Sequence, residues 1–131
     1  MIATEADLPR ILEYAKAFHG YSPWSVYPMD ESATEAYARG IMEAGVILLS
    51  DTGMIGGLLS PVPFAPSLVV AVELFWWGDG HLKKEFEAWA RMRGAKAVQF
   101  SALADDRSEM MARLFRRDGY RPVETGYLKD L

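Results

Sequence analysis

The stretch from Leu68 to Gly94, LVVAVELFWWGDGHLKKEFEAWARMRG, limits the possible folds more than any other part of the sequence. From Leu68 to Trp77 it is a run of β-branched and aromatic residues broken by one carboxylate, Glu73. A strand apolar on both faces belongs in the middle of a sheet covered on both sides. From about His81 to Met92, Leu82, Phe86, Trp89 and Ala90 recur at helical spacing with charges between them, and Gly94 ends the pattern. Only Gly78-Asp79-Gly80 separates strand from helix. A buried strand therefore turns sharply into a helix whose first N–H groups lack intrahelical partners, a junction able to bind an anion.

The segments before it read as helices and a hairpin. Met1 to Ala3 is a stub of strand. Thr4 and Asp7 have capping-box spacing, and Leu8, Ile11, Leu12, Ala15 and Phe18 predict a helix to about His19, with Pro9 tolerated in its first turn. The following loop, Gly20 to Pro28, holds three aromatics, Tyr21, Trp24 and Tyr27, and two prolines, Pro23 and Pro28. These aromatics either pack down as a lid or line a pocket for a small molecule. Ser32 and Glu35 form a second capping box for a helix through Tyr37, Ala38, Ile41 and Met42 to Gly45. Val46–Leu49 and Met54–Leu59 flank Asp51-Thr52-Gly53 as a hairpin, and Gly56-Gly57 suggests a bulge or the close approach of another backbone. Pro61, Pro63 and Pro66 read as a surface connection.

Beyond Gly94 the order is a strand from Ala97 to Leu103, a helix from Asp105 to Asp118 and a last strand or bent hairpin from Tyr120 to Lys129. Strands and helices in this order predict one α/β domain over residues 1–131, with a mixed sheet. Half of the 131 residues are hydrophobic, enough for a core, and the net charge is −4 with no long basic block, which argues against a nucleic-acid partner. The absence of cysteine excludes disulfides, thiolate zinc sites and a thiol nucleophile. With no apolar run of spanning length and no signal-like segment, the expectation is a soluble cytoplasmic protein without a membrane partner. His19 and His81 have no further ligands at metal spacing, so no metal is expected. Neither a Gly-x-Ser-x-Gly elbow nor a Walker loop is present.

The order of elements, the carboxylate in the central strand ahead of a glycine turn and helix, and the run Arg113-Leu114-Phe115-Arg116-Arg117-Asp118-Gly119-Tyr120 resemble the GNAT acyltransferase superfamily. Glu73-Leu74-Phe75-Trp76-Trp77 and the ending Gly119 to Tyr127 are most similar to small acetyltransferases of phage and prophage genomes. The resemblance implies a three-layer sandwich with helices on both faces of the mixed sheet and acetyl-CoA as co-substrate. It implies that Phe75, Trp76 and Trp77 offer backbone to the pantetheine arm in a gap between splayed strands. It also implies that Gly78, Asp79, Gly80 and His81 approach the pyrophosphate, with Lys83 and Lys84 adding positive charge. Two features depart from the family pattern. The phosphate loop is shortened to Gly-Asp-Gly, with the negative Asp79 inside it, and Ser108 and Phe115 stand where many members have the Asn and the proton-donating Tyr.

The chemistry requires a base, because an amine arrives protonated and must lose a proton before it attacks a thioester. Glu73 is the candidate: burial among Val72, Leu74 and Phe75 raises a carboxylate's pKa towards neutrality. The other readings are a carboxylate paired with an Arg across the sheet or one exposed at a bulge. Tyr127 or solvent can protonate the leaving thiolate, and Tyr127 also suits a plain strand position. The expected function is acetyl transfer to a small-molecule or peptide amine by direct attack in a ternary complex. The acceptor would enter beside the Tyr21–Tyr27 loop, the second helix and the last strands. Asp30, Glu31 and Glu35 there lean towards a cationic amine. The alternatives are a non-catalytic GNAT-fold module that binds a CoA thioester or a protein, and a homodimer built through the edge of the last strand.

Overall fold

The computed structural model describes all of residues 1–131 and divides into two compact units, Met1–Ser101 and Ala102–Leu131. In the first unit, helices α1 (Leu8–Tyr21) and α2 (Glu31–Ala44) precede strands β1 (Gly45–Leu49), β2 (Met54–Val62) and β3 (Ala65–Trp77). Helix α3 (Leu82–Met92) then leads to the short strand β4 (Ala97–Gln99). The sheet order is β1-β2-β3-β4, antiparallel except for the parallel β3–β4 pair. It is therefore a mixed sheet with β3 inside it. Met1–Ala3 adds a stub beside β1 through an Ile2–Leu48 bridge and the Ala3 N–H to Ile47 carbonyl bond of 2.8 Å.

The period-two alternation of β1 separates two apolar layers. Ile47, Leu49 and Met54 pack with Ile11 and Ile41 under α1 and α2. Val46, Leu48, Ile55 and Ala71 pack with Leu82, Phe86 and Trp89 of α3 on the other side. Helices thus cover both faces of the sheet, the α/β sandwich expected from the sequence. No helix is long and apolar enough to cross a membrane.

Local signals are met with some shifts. The Thr4–Asp7 capping box forms, with the Thr4 N–H donating to Asp7 Oδ2 at 2.8 Å, and it opens a 3₁₀ turn that runs into α1. Helix α2 starts on Asp30 rather than Ser32, because the Asp30 carboxylate accepts the Ala33 N–H at 3.0 Å. Tyr37, expected on the apolar stripe of α2, faces outward at 53% exposure. The prolines do not form a separate connection. β2 and β3 are one long hairpin turning at Pro63-Phe64, with Pro61 opposite Val69. At that end β1 and β4 no longer flank the pair, so a proline on a free edge forfeits no ladder bond.

The Gly56-Gly57 signal marks both things it suggested. The register slips there, leaving Leu74 of β3 unpaired between Phe75 and Glu73. A Cβ on Gly56 would overlap the Phe75 ring, and one on Gly57 would lie 2.6 Å from the Phe86 ring.

The second unit holds helix α4 (Ser108–Arg117) and a tail without regular secondary structure. The strand expected at Tyr120–Lys129 does not form. Pro122 lacks a donor, Gly126 packs no side chain, and residues 121–131 are exposed with no strand to pair with. Within the unit, the Tyr120 ring meets Phe115 at 5.3 Å, edge to face.

Candidate active site

Where β3 and β4 separate, the first unit opens. Their parallel ladder has three steps, Val70–Ala97, Ala71–Val98 and Val72–Gln99, and stops there. The strand expected to run to Leu103 ends at Gln99 for a physical reason. Phe100 packs its ring against Trp76 (5.7 Å) and Phe86 (5.8 Å), and the Ser101 N–H turns to a side chain instead of a ladder carbonyl. The Leu74 bulge bends β3 at the same level. From Glu73 to Trp77, β3 is paired with β2 on one edge and has no strand on the other. Every second residue of an extended strand directs its N–H and C=O to a given edge, so this length presents backbone donors and acceptors to the gap.

The side chain that receives Ser101 is Glu73. Its Oε1 accepts the Ser101 N–H at 3.1 Å. Ala71 belongs to the α3-side core, and Glu73, two residues on, stands on the same face of the sheet. The residue is only 7% exposed and takes part in none of the ion pairs, so neither pairing with an Arg nor exposure at the bulge describes it. The bulge exposes Leu74 instead. Burial pushes the Glu73 carboxyl up from the ordinary 4.5 to about 7, with the Ser101 hydrogen bond opposing the rise. A buried carboxyl that titrates near neutrality can take a proton at physiological pH.

The other residues of the turn are placed by its packing. Phe75 and Trp77 lie on the α1–α2 side, Trp77 under Phe18 (5.9 Å) and Tyr21 (5.7 Å). Trp76 lies on the α3 side and its indole N–H donates to the Asp79 carbonyl at 3.0 Å. Gly78 has φ +84°, and a Cβ there would overlap the Thr52 carbonyl oxygen of the β1–β2 turn. A Cβ on Gly53 would overlap the Trp77 carbonyl oxygen in return. Gly78 is thus a glycine because two turns touch, not only because a ligand needs room. Gly80 is different: nothing lies within 4 Å of where its Cβ would be.

Asp79 uses its charge locally. Its Oδ1 accepts the His81 N–H at 2.8 Å, and that bond, with a second from the Ser50 hydroxyl, holds its pKa below the usual carboxylate value. Its carboxylate therefore sits in the turn just ahead of α3, on the N–H of the N-cap residue His81, close to where an incoming anion would sit. Ser50 is itself clamped from α1, its carbonyl accepting from Arg10 Nη2 and, at 3.0 Å, from the Tyr14 hydroxyl. The Lys83 ammonium reaches Glu87 at 2.7 Å and lies 5.9 Å from the centroid of the Phe100 ring, directed along α3. Tyr127 lies in the tail of the second unit at 94% exposure, outside any strand.

A feature that the sequence reading left open is a groove in the first unit lined by His19, Trp24, Tyr27, Asp30 and Tyr37. The aromatics of the Gly20–Pro28 loop were visible in the sequence, but the part played by Tyr37 was not, because its spacing matched the buried stripe of α2.

No family model matches the sequence, and no curated protein matches it. Solved structures do. An acetyltransferase of Trypanosoma brucei superposes with a TM-score of 0.68 at 16% identity, over 100% of this chain and 97% of its own. The aminoglycoside N-acetyltransferase AAC(6')-Iy, in complex with the bisubstrate analogue CoA-S-monomethyl-acetylneamine, gives 0.69 at 13%, over 100% and 95%. A protein of Bacillus halodurans described as a transcriptional regulator gives 0.71 at 14%, over 100% and 97%. The chain has the α/β fold of the GNAT acetyltransferases. That likeness does not extend to activity, which depends on the site.

Proposed function

We propose that the protein is an N-acetyltransferase that uses acetyl-CoA and passes the acetyl group to an amine by direct attack. The observation that carries this reading is the buried Glu73 carboxyl, held near neutrality without a cation at the point where β3 and β4 part. The shared fold, and the CoA-based ligand of one structural neighbour, support a CoA thioester as the donor. The Glu73–Trp77 segment and the Gly119–Tyr127 ending resemble the small phage and prophage acetyltransferases.

The residues present fit such a donor in one part and resist it in another. The free edge of β3 from Glu73 to Trp77 suits the amides of a pantetheine arm, and the open position at Gly80 suits phosphate against backbone. The start of α3 already holds the Asp79 carboxylate, which must turn away to admit a pyrophosphate. Glu73, directly or through water, takes a proton from the ammonium acceptor, and the freed nitrogen attacks the thioester carbonyl. N–H groups on the open β3 edge stabilise the oxyanion. The C–S bond then breaks, the attacking nitrogen gives up its second proton to solvent and the departing thiolate takes one from solvent.

The test is calorimetric titration with acetyl-CoA, free CoA and an adenine nucleotide lacking the pantetheine arm, followed by turnover on a panel of amines. Binding that needs the pantetheine arm, with turnover lost in Glu73→Gln, supports the reading. The Asp79 carboxylate held on the His81 N–H favours a second reading, a CoA-thioester or protein-binding module without catalysis. Binding without turnover on any amine would decide for it.

A further inference from the structure

The β2–β3 hairpin runs past the rest of the sheet. β1 pairs with β2 only as far as Leu58, and β4 joins β3 only from Val70, so Leu59 to Leu68 project with no strand on either side. About five residues at about 3.3 Å each place the turn roughly 16 Å beyond the start of β4. From Thr52 to Val72 the chain has no charged residue. Phe64, in the turn, is 98% exposed, and Leu68 on the same projection is exposed too. Three of the six residues from Pro61 to Pro66 are prolines, which carry no N–H. An apolar tip short of backbone donors loses less than an ordinary strand end when it leaves water. The same prolines blunt the free edges against an added strand, which counts against β-pairing with another protein.

The charge at the base of the hairpin has one sign. Helix α3 ends at this end of the sheet, and the segment after it enters β4 beside the hairpin, where the Lys96 N–H donates to the Val69 carbonyl at 2.8 Å. From Ala88 to Ala104 the chain contains Arg91, Arg93 and Lys96 and no acid. All three are exposed and none takes part in an ion pair, while Arg93 lies 5.6 Å from the centroid of the Trp89 ring. Met92 between them is 77% exposed. Glu43, near the end of α2, belongs to the helix layer on the opposite face.

We infer that the hairpin tip and the α3–β4 segment form a peripheral contact that docks the protein on an anionic lipid bilayer. The match is in both shape and charge. A projecting tip presents little flat area to a folded partner, whereas a bilayer closes around it, and anionic headgroups take up the cations. Headgroups occupy roughly 5–8 Å on each side of the hydrocarbon, so the tip reaches acyl chains while Lys96 stays at headgroup level. The expectation of no membrane partner rests on the lack of a spanning segment, and a surface contact needs none. The inference is independent of the acetyltransferase reading. Glu73–Trp77 lies towards the other end of β3, so the docked protein keeps the candidate active site in solution.

The experiment sediments the full chain with vesicles of phosphatidylcholine alone and of phosphatidylcholine mixed with phosphatidylserine. Binding to the anionic vesicles is expected to be at least about tenfold tighter, and to weaken with salt. Phe64→Ser should weaken it by at least about tenfold, and Arg91→Gln and Lys96→Gln each by about three- to fivefold. These side chains are exposed, so the unfolding midpoint and the acetyl-CoA titration should stay at parental values. Because the chain has no cysteine, Ser67→Cys and Thr52→Cys each accept a single environment-sensitive fluorophore. The hairpin label should shift to the blue on anionic vesicles, and the label in the β1–β2 turn, at the other end of the sheet, should not. No sedimentation with anionic vesicles, parental binding in Phe64→Ser, or an unshifted hairpin label on bound protein would overturn the inference. Self-association that Phe64→Ser abolishes, without vesicle binding, would overturn it in favour of contact between two copies.

Discussion

The Glu73 carboxylate accepts the Ser101 backbone N–H at 3.1 Å, across the two strands just beyond the last step of their ladder. A side chain thus takes over where main-chain pairing stops, and it does so while buried and without a cation. If Glu73 is the base, turnover should rise with pH to a plateau with a midpoint near 7, where its carboxyl titrates. Glu73→Gln should lower turnover by about 10²–10⁴-fold and leave acetyl-CoA affinity unchanged. Steady-state rates from pH 5 to 9 with a matched titration would check both. A flat profile would reject the assignment.

The same carboxyl makes stability depend on pH. Its folded pKa lies above the ordinary value, so between about 4.5 and 7 the unfolded chain loses a proton that the folded chain keeps. The contribution is therefore fully present below 4.5 and is lost as pH rises through 7. Its full extent is about 3 kcal/mol at most. Glu73→Gln should flatten that part of the curve, as measured by urea unfolding at several pH values. A parallel decline in the variant would mean that another group is responsible.

Gly78 and Gly80 should respond differently to alanine. Gly78→Ala places a Cβ at positive φ and against the Thr52 carbonyl, and should cost at least about 1–2 kcal/mol. Gly80→Ala meets open space and should change stability by less than about 0.5 kcal/mol. If phosphates approach the backbone at Gly80, that variant nevertheless weakens acetyl-CoA binding. Unfolding and calorimetry on the two proteins separate the effects.

Asp79→Asn keeps an acceptor for the His81 N–H in the turn ahead of α3 and removes its charge. Affinity for free CoA should increase by about two- to fivefold, with the gain shrinking at high salt. Unchanged or weaker binding would place the phosphates away from this helix start.

The parts of the fold that depend on short-range pattern were legible in the sequence. The helical repeat of α3, the Thr4–Asp7 box, the double-faced strand at Leu68–Trp77 and the bulge at Gly56-Gly57 all follow from periodicity, capping and glycine chemistry. Readings that needed a partner were less secure. Pro61 and Pro66 looked like breaks, yet a hairpin extending past its neighbours has free edges that accept proline. Tyr120–Lys129 has strand-like residues but no strand beside it. For the site, Glu73 was visible as one acid in an apolar run, whereas its Ser101 partner lies 28 residues away. The sign of Asp79 was visible too, but its target, the His81 N–H, is set by how the turn folds. The groove aromatics converge only because His19 and Ser22 hold the turn.

Gly53 and Gly78 occupy turns that press backbone to backbone, each filling the space where the other would carry a side chain. The two loops are therefore a single unit for any engineer. A longer phosphate loop grafted after Trp77 would lose its seat unless the β1–β2 turn were rebuilt with it, and a new β1–β2 turn would in the same way dislodge the start of α3. Grafts should exchange both turns together.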